Sequence, residues 1–95
     1  MTPTVSVIVP MYNAENFIKP ALESLLTQTF TDFEVILIDD CSTDRTLDKL
    51  MYYEEKYPDN ILLIALKENV RMGAARNLAL KYATGEYISF VDSDD

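Results

Sequence analysis

An open α/β domain is predicted, with a mostly parallel sheet flanked by helices in the order β-α-β-α-β-α-β. Short apolar runs alternate along the chain with segments of helical periodicity. The runs are continuous, as in Val5-Ser-Val-Ile-Val-Pro10 and Glu34-Val-Ile-Leu-Ile-Asp39, and do not alternate apolar with polar. Continuous runs suit strands buried on both faces, the environment of a parallel sheet covered by its own crossover helices.

The first strand is expected over Val5 to Pro10, ended by the proline, which cannot donate to a central ladder. Asn13 then reads as a helix N-cap, and Phe17, Ile18, Ala21, Leu22, Leu25 and Leu26 recur at helical spacing between Glu15 and Thr27. Pro20 lies inside that pattern and either bends the helix or moves its start later. After a polar turn from Gln28 to Asp32 comes the second strand, Glu34 to Asp39. A helix is predicted from Arg45 to Tyr57 with Leu47, Leu50 and Met51 inward, stopped by Pro58-Asp59-Asn60. Ile61 to Leu66 forms the third strand. Arg71 to Ala83 forms the third helix, with Ala75, Leu78, Ala79 and Tyr82 as its apolar stripe and Gly85 as its C′ residue. Tyr87 to Val91, rich in aromatic and β-branched residues, reads as a fourth buried strand.

The chain has 95 residues, 48% of them hydrophobic, which suits one small domain or part of a larger one and argues against disorder. Its net charge of −8 argues against nucleic acid or an anionic membrane surface as the main partner. There is no histidine, so Ser-His-Asp, Cys-His and His-ligated zinc chemistry are excluded within this chain. Cys41 is the single cysteine; it follows Asp39-Asp40, where negative charge disfavours a thiolate, and reads as a bystander. Met1-Thr2-Pro3-Thr4 reads as leading straight into a strand, so no secretory leader is expected, and no apolar run reaches the length of a membrane span.

Right-handed crossovers bring all strand C-termini to one edge, where ligands of open α/β sheets bind. That edge collects Pro10-Met11-Tyr12-Asn13, Asp39-Asp40-Cys41-Ser42, Lys67-Glu68-Asn69 and Asp92-Ser93-Asp94-Asp95. Two carboxylates about 4 Å apart repel by roughly 4 kcal/mol at an effective dielectric of 20, so the final acidic cluster calls for water, protonation or a cation. A hard divalent ion fits an oxygen-only donor set. Glycines number 2, with neither a Gly-x-Gly-x-x-Gly nor a P-loop pattern, so dinucleotide-binding and P-loop domains are disfavoured. Side chains must do the binding. Tyr12 can stack on a planar ring, Asp39 or Asp40 can accept hydrogen bonds, Arg71 can meet a base edge or phosphate, and a metal at Asp92 and Asp94 can bridge a diphosphate. Together they match a nucleotide. Each also has a structural reading: Tyr12 packed on the first helix, one of Asp39, Asp40, Ser42 and Asp44 capping the second, Arg71 paired with Glu68, and Glu15 complementing the first helix's dipole.

The sequence resembles the N-terminal, nucleotide-binding half of an inverting family 2 glycosyltransferase with the GT-A fold, whose sheet is Rossmann-like. The matching stretches are Val5 to Asn13, Ser24-Leu-Leu-Thr-Gln-Thr-Phe30, Glu34 to Asp44, Gly73-Ala-Ala-Arg-Asn77 and Gly85 to Asp95. The resemblance implies transfer of a sugar from a nucleotide-sugar, most often a UDP-sugar, to an acceptor hydroxyl on a sugar, lipid or protein. It implies that Pro10 and Tyr12 line the base pocket, that Asp40 hydrogen-bonds the base, and that Arg71 lies near it. Asp92-Ser93-Asp94 is similar to the family's Asp-x-Asp motif, with Asp92 toward the ribose or sugar and Asp94 ligating Mn²⁺ or Mg²⁺; Asp95 assists. Cys41 departs from the family, which often has glycine or asparagine there. The catalytic base is implied to lie beyond residue 95. Residues 1–95 then hold the donor site without the acceptor half, bind nucleotide weakly and do not turn over alone. An exposed fourth strand predicts self-association. The implied location is cytoplasmic, peripheral at the membrane face in a full-length enzyme.

Two other classes compete. A phospho-receiver domain also gathers acids at strand ends, but its acidic pair follows the first strand and it carries a late lysine; here the pair follows the second strand and no such lysine is evident. A non-catalytic nucleotide- or metal-binding module is the other.

Overall fold

The structure, a computed structural model, describes residues 3–27 and 32–91. β1 (Val5–Met11), α1 (Ile18–Leu26), β2 (Phe33–Asp39), α2 (Thr46–Lys56), β3 (Ile61–Ala65), α3 (Arg71–Leu80) and β4 (Tyr87–Phe90) follow in the expected order. The strands form one parallel sheet in the order β3-β2-β1-β4. In register, Ile8 lies between Ile36 on one side and Phe90 on the other.

The strand order reverses at β1, and the helices follow. Val7, Val9 and Met11 pack with Val35 and Leu37 against Ile18 and Leu22 of α1 and Leu50 and Tyr53 of α2. Ile8, Ile36 and Ile38 face the other way, onto Ala75 and Ala79 of α3. Successive side chains of a strand point to opposite faces, and here both faces are covered, which explains the continuous apolar runs. Each fully buried Ile or Leu contributes about 1.5–3 kcal/mol by leaving water.

Several elements differ from expectation. β1 runs through Pro10 to Met11. The Met11 carbonyl accepts from Asp40 N–H on the β2 side, whereas the Ile8 carbonyl accepts from Val91 N–H on the β4 side. By alternation Pro10 faces the β4 side, beyond the described end of that ladder, where a missing N–H costs nothing. α1 starts at Ile18 and not near Glu15, so Pro20 falls in the first turn, whose N–H groups have no helical partner. Asn13 is no N-cap of α1, because the Ala14 and Glu15 amides donate to Thr46 Oγ1 and Asp44 Oδ2 instead. Met51 and Tyr82, predicted inward, are exposed, while Tyr53 is buried. The turn expected at 28–32 lies mostly outside the described residues.

Gly85 is not the C′ residue of α3, which ends at Leu80, and no glycine has a positive φ. It is needed for close approach: a Cβ there would lie 2.7 Å from the Ser6 nitrogen and 2.8 Å from the Val5 carbonyl carbon. Gly85 N–H donates to Ser6 Oγ at 2.8 Å, Ser6 Oγ–H donates to Glu34 Oε2, and Thr84 N–H donates to the same oxygen at 2.7 Å.

β4 has the composition of a buried strand but, as expected of a chain that holds only the donor half, is exposed along its length, with Tyr87 65%, Ile88 40% and Phe90 47% accessible. It is an edge strand. Tyr87 and Val91 donate to Thr4 and Ile8 of the β1 segment, so Ile88 and Phe90 turn their backbone groups outward. At the other edge, the outward N–H of Leu63 donates to Glu54 Oε2 at 3.3 Å and that of Ile61 to the Tyr57 carbonyl at 3.0 Å. Among the described residues no helix is long and apolar enough to cross a membrane.

Candidate functional site

β1 and β4 diverge in their connections at the C-terminal edge, so the switch point of the sheet lies beside β1. Period-two alternation carried past the strands settles which acids face it. Met11 and Leu37 belong to the α1–α2 face and Ile38 to the α3 face. Asp39 therefore leans toward the first face, and Asp40 and Tyr12 toward the second. Tyr12, Asp40, Asn69 and Arg71 line one open cavity of about 430 Å³. They come from the loops after β1, β2 and β3 and from the first residue of α3.

Asp40 is the fixed point of this cavity. It is 1% exposed; its N–H donates to Met11 O at 2.9 Å and its Oδ1 accepts Val70 N–H at 2.7 Å. Asn69 Nδ2 donates to the Asp40 carbonyl at 3.1 Å, tying the β3–α3 loop to the same residue. A buried carboxylate with one oxygen engaged keeps acceptor capacity on the other. Tyr12 is 40% exposed and offers a ring face. Arg71 is exposed at the start of α3 with φ 71°.

Of the residues assigned to nucleotide from sequence, Tyr12, Asp40 and Arg71 share the cavity. Pro10 is buried within β1, two positions before Tyr12, and is not among the described lining residues. Asp92, Asp94 and Asp95 lie outside the described residues. Asn69 lines the cavity but was read only as part of its loop; its place after β3, on the shared edge, was the available signal. Among the described residues no three acidic or cysteine side chains converge as a metal-ligating group.

The β2–α2 loop braces the other side. Asp39, 1% exposed, accepts from Ser42 Oγ–H and, at 3.4 Å, from Ser42 N–H. Asp44, not Asp39 or Asp40, serves the start of α2, accepting from Thr46 N–H at 2.8 Å and from its hydroxyl. Partial desolvation pushes the Asp44 carboxyl up, but the donors from Thr46 and Glu15 together outweigh it and hold the group below its usual value. With the folded value depressed, its stabilisation is complete above the unfolded carboxylate's value of about 3.9 and fades as pH falls through the folded one. The urea midpoint is expected to drop on acidification below about pH 4, less steeply in Asp44→Asn.

Cys41 has φ 60°, the left-handed region, and its Sγ lies 3.5 Å from the Lys67 carbonyl. A side chain there costs roughly 1–2 kcal/mol, against roughly 0.5–1 kcal/mol for glycine's extra unfolded freedom. Cys41→Gly is expected to gain about 0.5 kcal/mol, read by calorimetry as a Tm rise of roughly 2–4 °C.

Fold and cavity together define a parallel α/β domain with an open strand-end cavity lined by side chains, rather than a P-loop or glycine-rich one. The chain belongs to glycosyl transferase family 2, whose model matches residues 6–95. It is 50% identical over 93 residues to the poly(ribitol-phosphate) beta-N-acetylglucosaminyltransferase TarS of Staphylococcus aureus, covering 95% of this chain and 16% of that protein. The crystal structure of S. aureus TarS 1-349 in complex with UDP-GlcNAc superposes with a TM-score of 0.85 at 47% identity, over 96% of this chain and 26% of that one. The mannosyltransferase PcManGT of Pyrobaculum calidifontis, in complex with GDP-Man and Mn²⁺, gives a TM-score of 0.89 at 34% identity, over 99% of this chain and 28% of that one. The sheet and helices are thus those of GT-A family 2 glycosyltransferases. The chain spans little more than a third, and often far less, of the length of such relatives, for example 36% of one from Bacillus subtilis.

Proposed function

We propose that residues 1–95 are the donor-binding part of a metal-assisted, inverting glycosyltransferase that moves a sugar from a UDP-sugar to an acceptor hydroxyl. The observation that carries this is the convergence of Tyr12, Asp40 and Arg71 on one cavity at the C-terminal edge of the sheet, in a chain of this family. Tyr12 stacks on the base, Asp40 accepts from a base N–H, and Arg71 meets the base edge. Pro10 supports Tyr12 from within β1. Neighbours with UDP-GlcNAc and with GDP-Man and Mn²⁺ support a nucleotide-sugar and a divalent ion.

The metal reading rests on donor chemistry. Asp92 and Asp94 offer carboxylate oxygens, which suit hard Mg²⁺ or Mn²⁺, with Asp94 as ligand and Asp92 shared with the ribose or sugar. Bound there, the ion supplies charge neutralisation at the diphosphate. In the transfer, the acceptor oxygen–C1 bond forms as the C1–diphosphate bond breaks, with inversion. The acceptor proton goes to a carboxylate base placed beyond residue 95. The enzyme works in the cytoplasm, peripheral to the membrane face, and the open β4 edge supports self-association of the isolated chain.

Titration calorimetry with UDP, ADP and GDP, with and without Mn²⁺, tests the reading. UDP is expected to bind best and to gain from Mn²⁺, and Asp94→Asn to abolish the gain. Equal affinities for all nucleotides, or none, would contradict it. Tyr12→Ala is expected to weaken UDP binding by about 5- to 150-fold, the range of one lost base–aromatic stack, with little change in Tm because the ring is 40% exposed.

A further inference from the structure

We propose that Asn13 is a positioning residue that sets the Tyr12 ring, anchored by the buried Asp39 through Ser42; this rests on the nucleotide reading of the cavity. Tyr12 has 40% of its surface exposed, so burial does not hold its ring in place. Its placement is inherited from the backbone on either side. Before it, the Met11 carbonyl accepts Asp40 N–H at 2.9 Å. After it, Asn13 N–H donates to Ser42 Oγ at 2.9 Å. The serine hydroxyl has one proton, which goes to Asp39, leaving a lone pair for Asn13. The donors therefore run in one direction, from Asn13 through Ser42 to a carboxylate that is 1% exposed.

The Asn13 side chain makes a second tie. Its Oδ1 accepts Thr43 N–H at 2.7 Å, Asp44 N–H at 3.3 Å and the Thr43 hydroxyl at 3.3 Å. Its φ of 49° lies in the left-handed region, which asparagine tolerates better than most residues. The next amide, of Ala14, donates to the buried Thr46 hydroxyl at 2.8 Å. The Tyr12 loop is thus clamped to the β2–α2 loop. The two adjacent acids divide the work: Asp40 faces the ligand and Asp39 fixes the loop that presents the ring. A loosened clamp lets the ring spread over orientations that do not stack, so it costs affinity without removing any contact group.

The test is a double-mutant cycle on UDP affinity with Tyr12→Ala, Asn13→Ala and the pair, alongside amide hydrogen exchange of the ligand-free proteins. Asn13→Ala is expected to weaken UDP binding about tenfold, within the range of a lost stack, and to add nothing to Tyr12→Ala. Exchange is expected to quicken at residues 12–14 and 42–44 but not in β1 or β2. Asn13→Asp, which keeps the acceptor and the backbone tolerance, is expected to restore slow exchange. Additive affinity losses, wild-type affinity in Asn13→Ala, or unchanged exchange would each overturn the proposal. A wild-type protein that binds no UDP refutes the nucleotide reading itself, and the exchange data then still decide whether Asn13 holds the Tyr12 loop.

Discussion

Asp40→Ala is expected to fail in two separable ways. The substitution leaves the Val70 N–H, which donates to Asp40 Oδ1 at 2.7 Å in a residue 1% exposed, without its acceptor. Left unsatisfied, this partly buried amide costs up to about 1–3 kcal/mol, or roughly 4–24 °C in Tm for a domain of this size. The proposed base contact is lost as well, and a hydrogen bond to a charged group is worth about 1.5–3 kcal/mol, roughly 10- to 150-fold in UDP affinity. Asp40→Asn separates the two. Its carbonyl oxygen still serves Val70, so thermal stability should stay near wild type, while affinity falls because the charge is gone and the second group is now a donor. Calorimetric Tm and UDP titration on both variants read the arms independently. Wild-type affinity in Asp40→Asn and Asp40→Ala alike would remove Asp40 from the site.

Gly85→Ala is expected to be the most damaging single methyl group in the connection between α3 and β4. The new carbon would meet the Ser6 nitrogen at 2.7 Å and the Val5 carbonyl carbon at 2.8 Å, both backbone atoms that cannot swing aside. Overpacking of this kind costs about 1–3 kcal/mol, seen as a lowered urea midpoint. Relief requires β4 to move off β1, beginning at the Val5–Tyr87 pairing, and breaks the Gly85–Ser6 hydrogen bond. Asp92 and Asp94 follow β4 in sequence, so the proposed Mn²⁺-dependent part of UDP binding should weaken along with stability. A variant with wild-type stability would show that the contact is not as tight as it stands.

The sheet and its C-terminal edge were legible because apolar runs and turn residues agree with each other along the chain. What was not legible was set by distant partners. Asn13-Ala-Glu-Asn reads as a cap and first turn, yet Thr46 and Asp44 take the amides that would have started the helix. Tyr87 to Phe90 has the composition of a core strand, and only the resemblance to part of a longer domain, not the composition, pointed to the edge where it sits. The stripe that includes Tyr82 outruns α3, which ends at Leu80, and α2 turns Thr46, Leu50 and Tyr53 inward in place of Met51. The pairing of Tyr12 with Asp40 was predictable from the edge, but the choice between Asp39 and Asp40 needed the faces of β2, which the run Glu-Val-Ile-Leu-Ile leaves equally apolar.

The two borders of the sheet are unequal templates. Glu54 and Tyr57 occupy the outward amides of Leu63 and Ile61, and an incoming chain would have to displace them and face a carboxylate. Among the described residues, Ile88 and Phe90 present no such obstacle. Lateral growth of this sheet is therefore directional among the described residues, and an additional strand, from this polypeptide or another, meets open backbone groups on the β4 side.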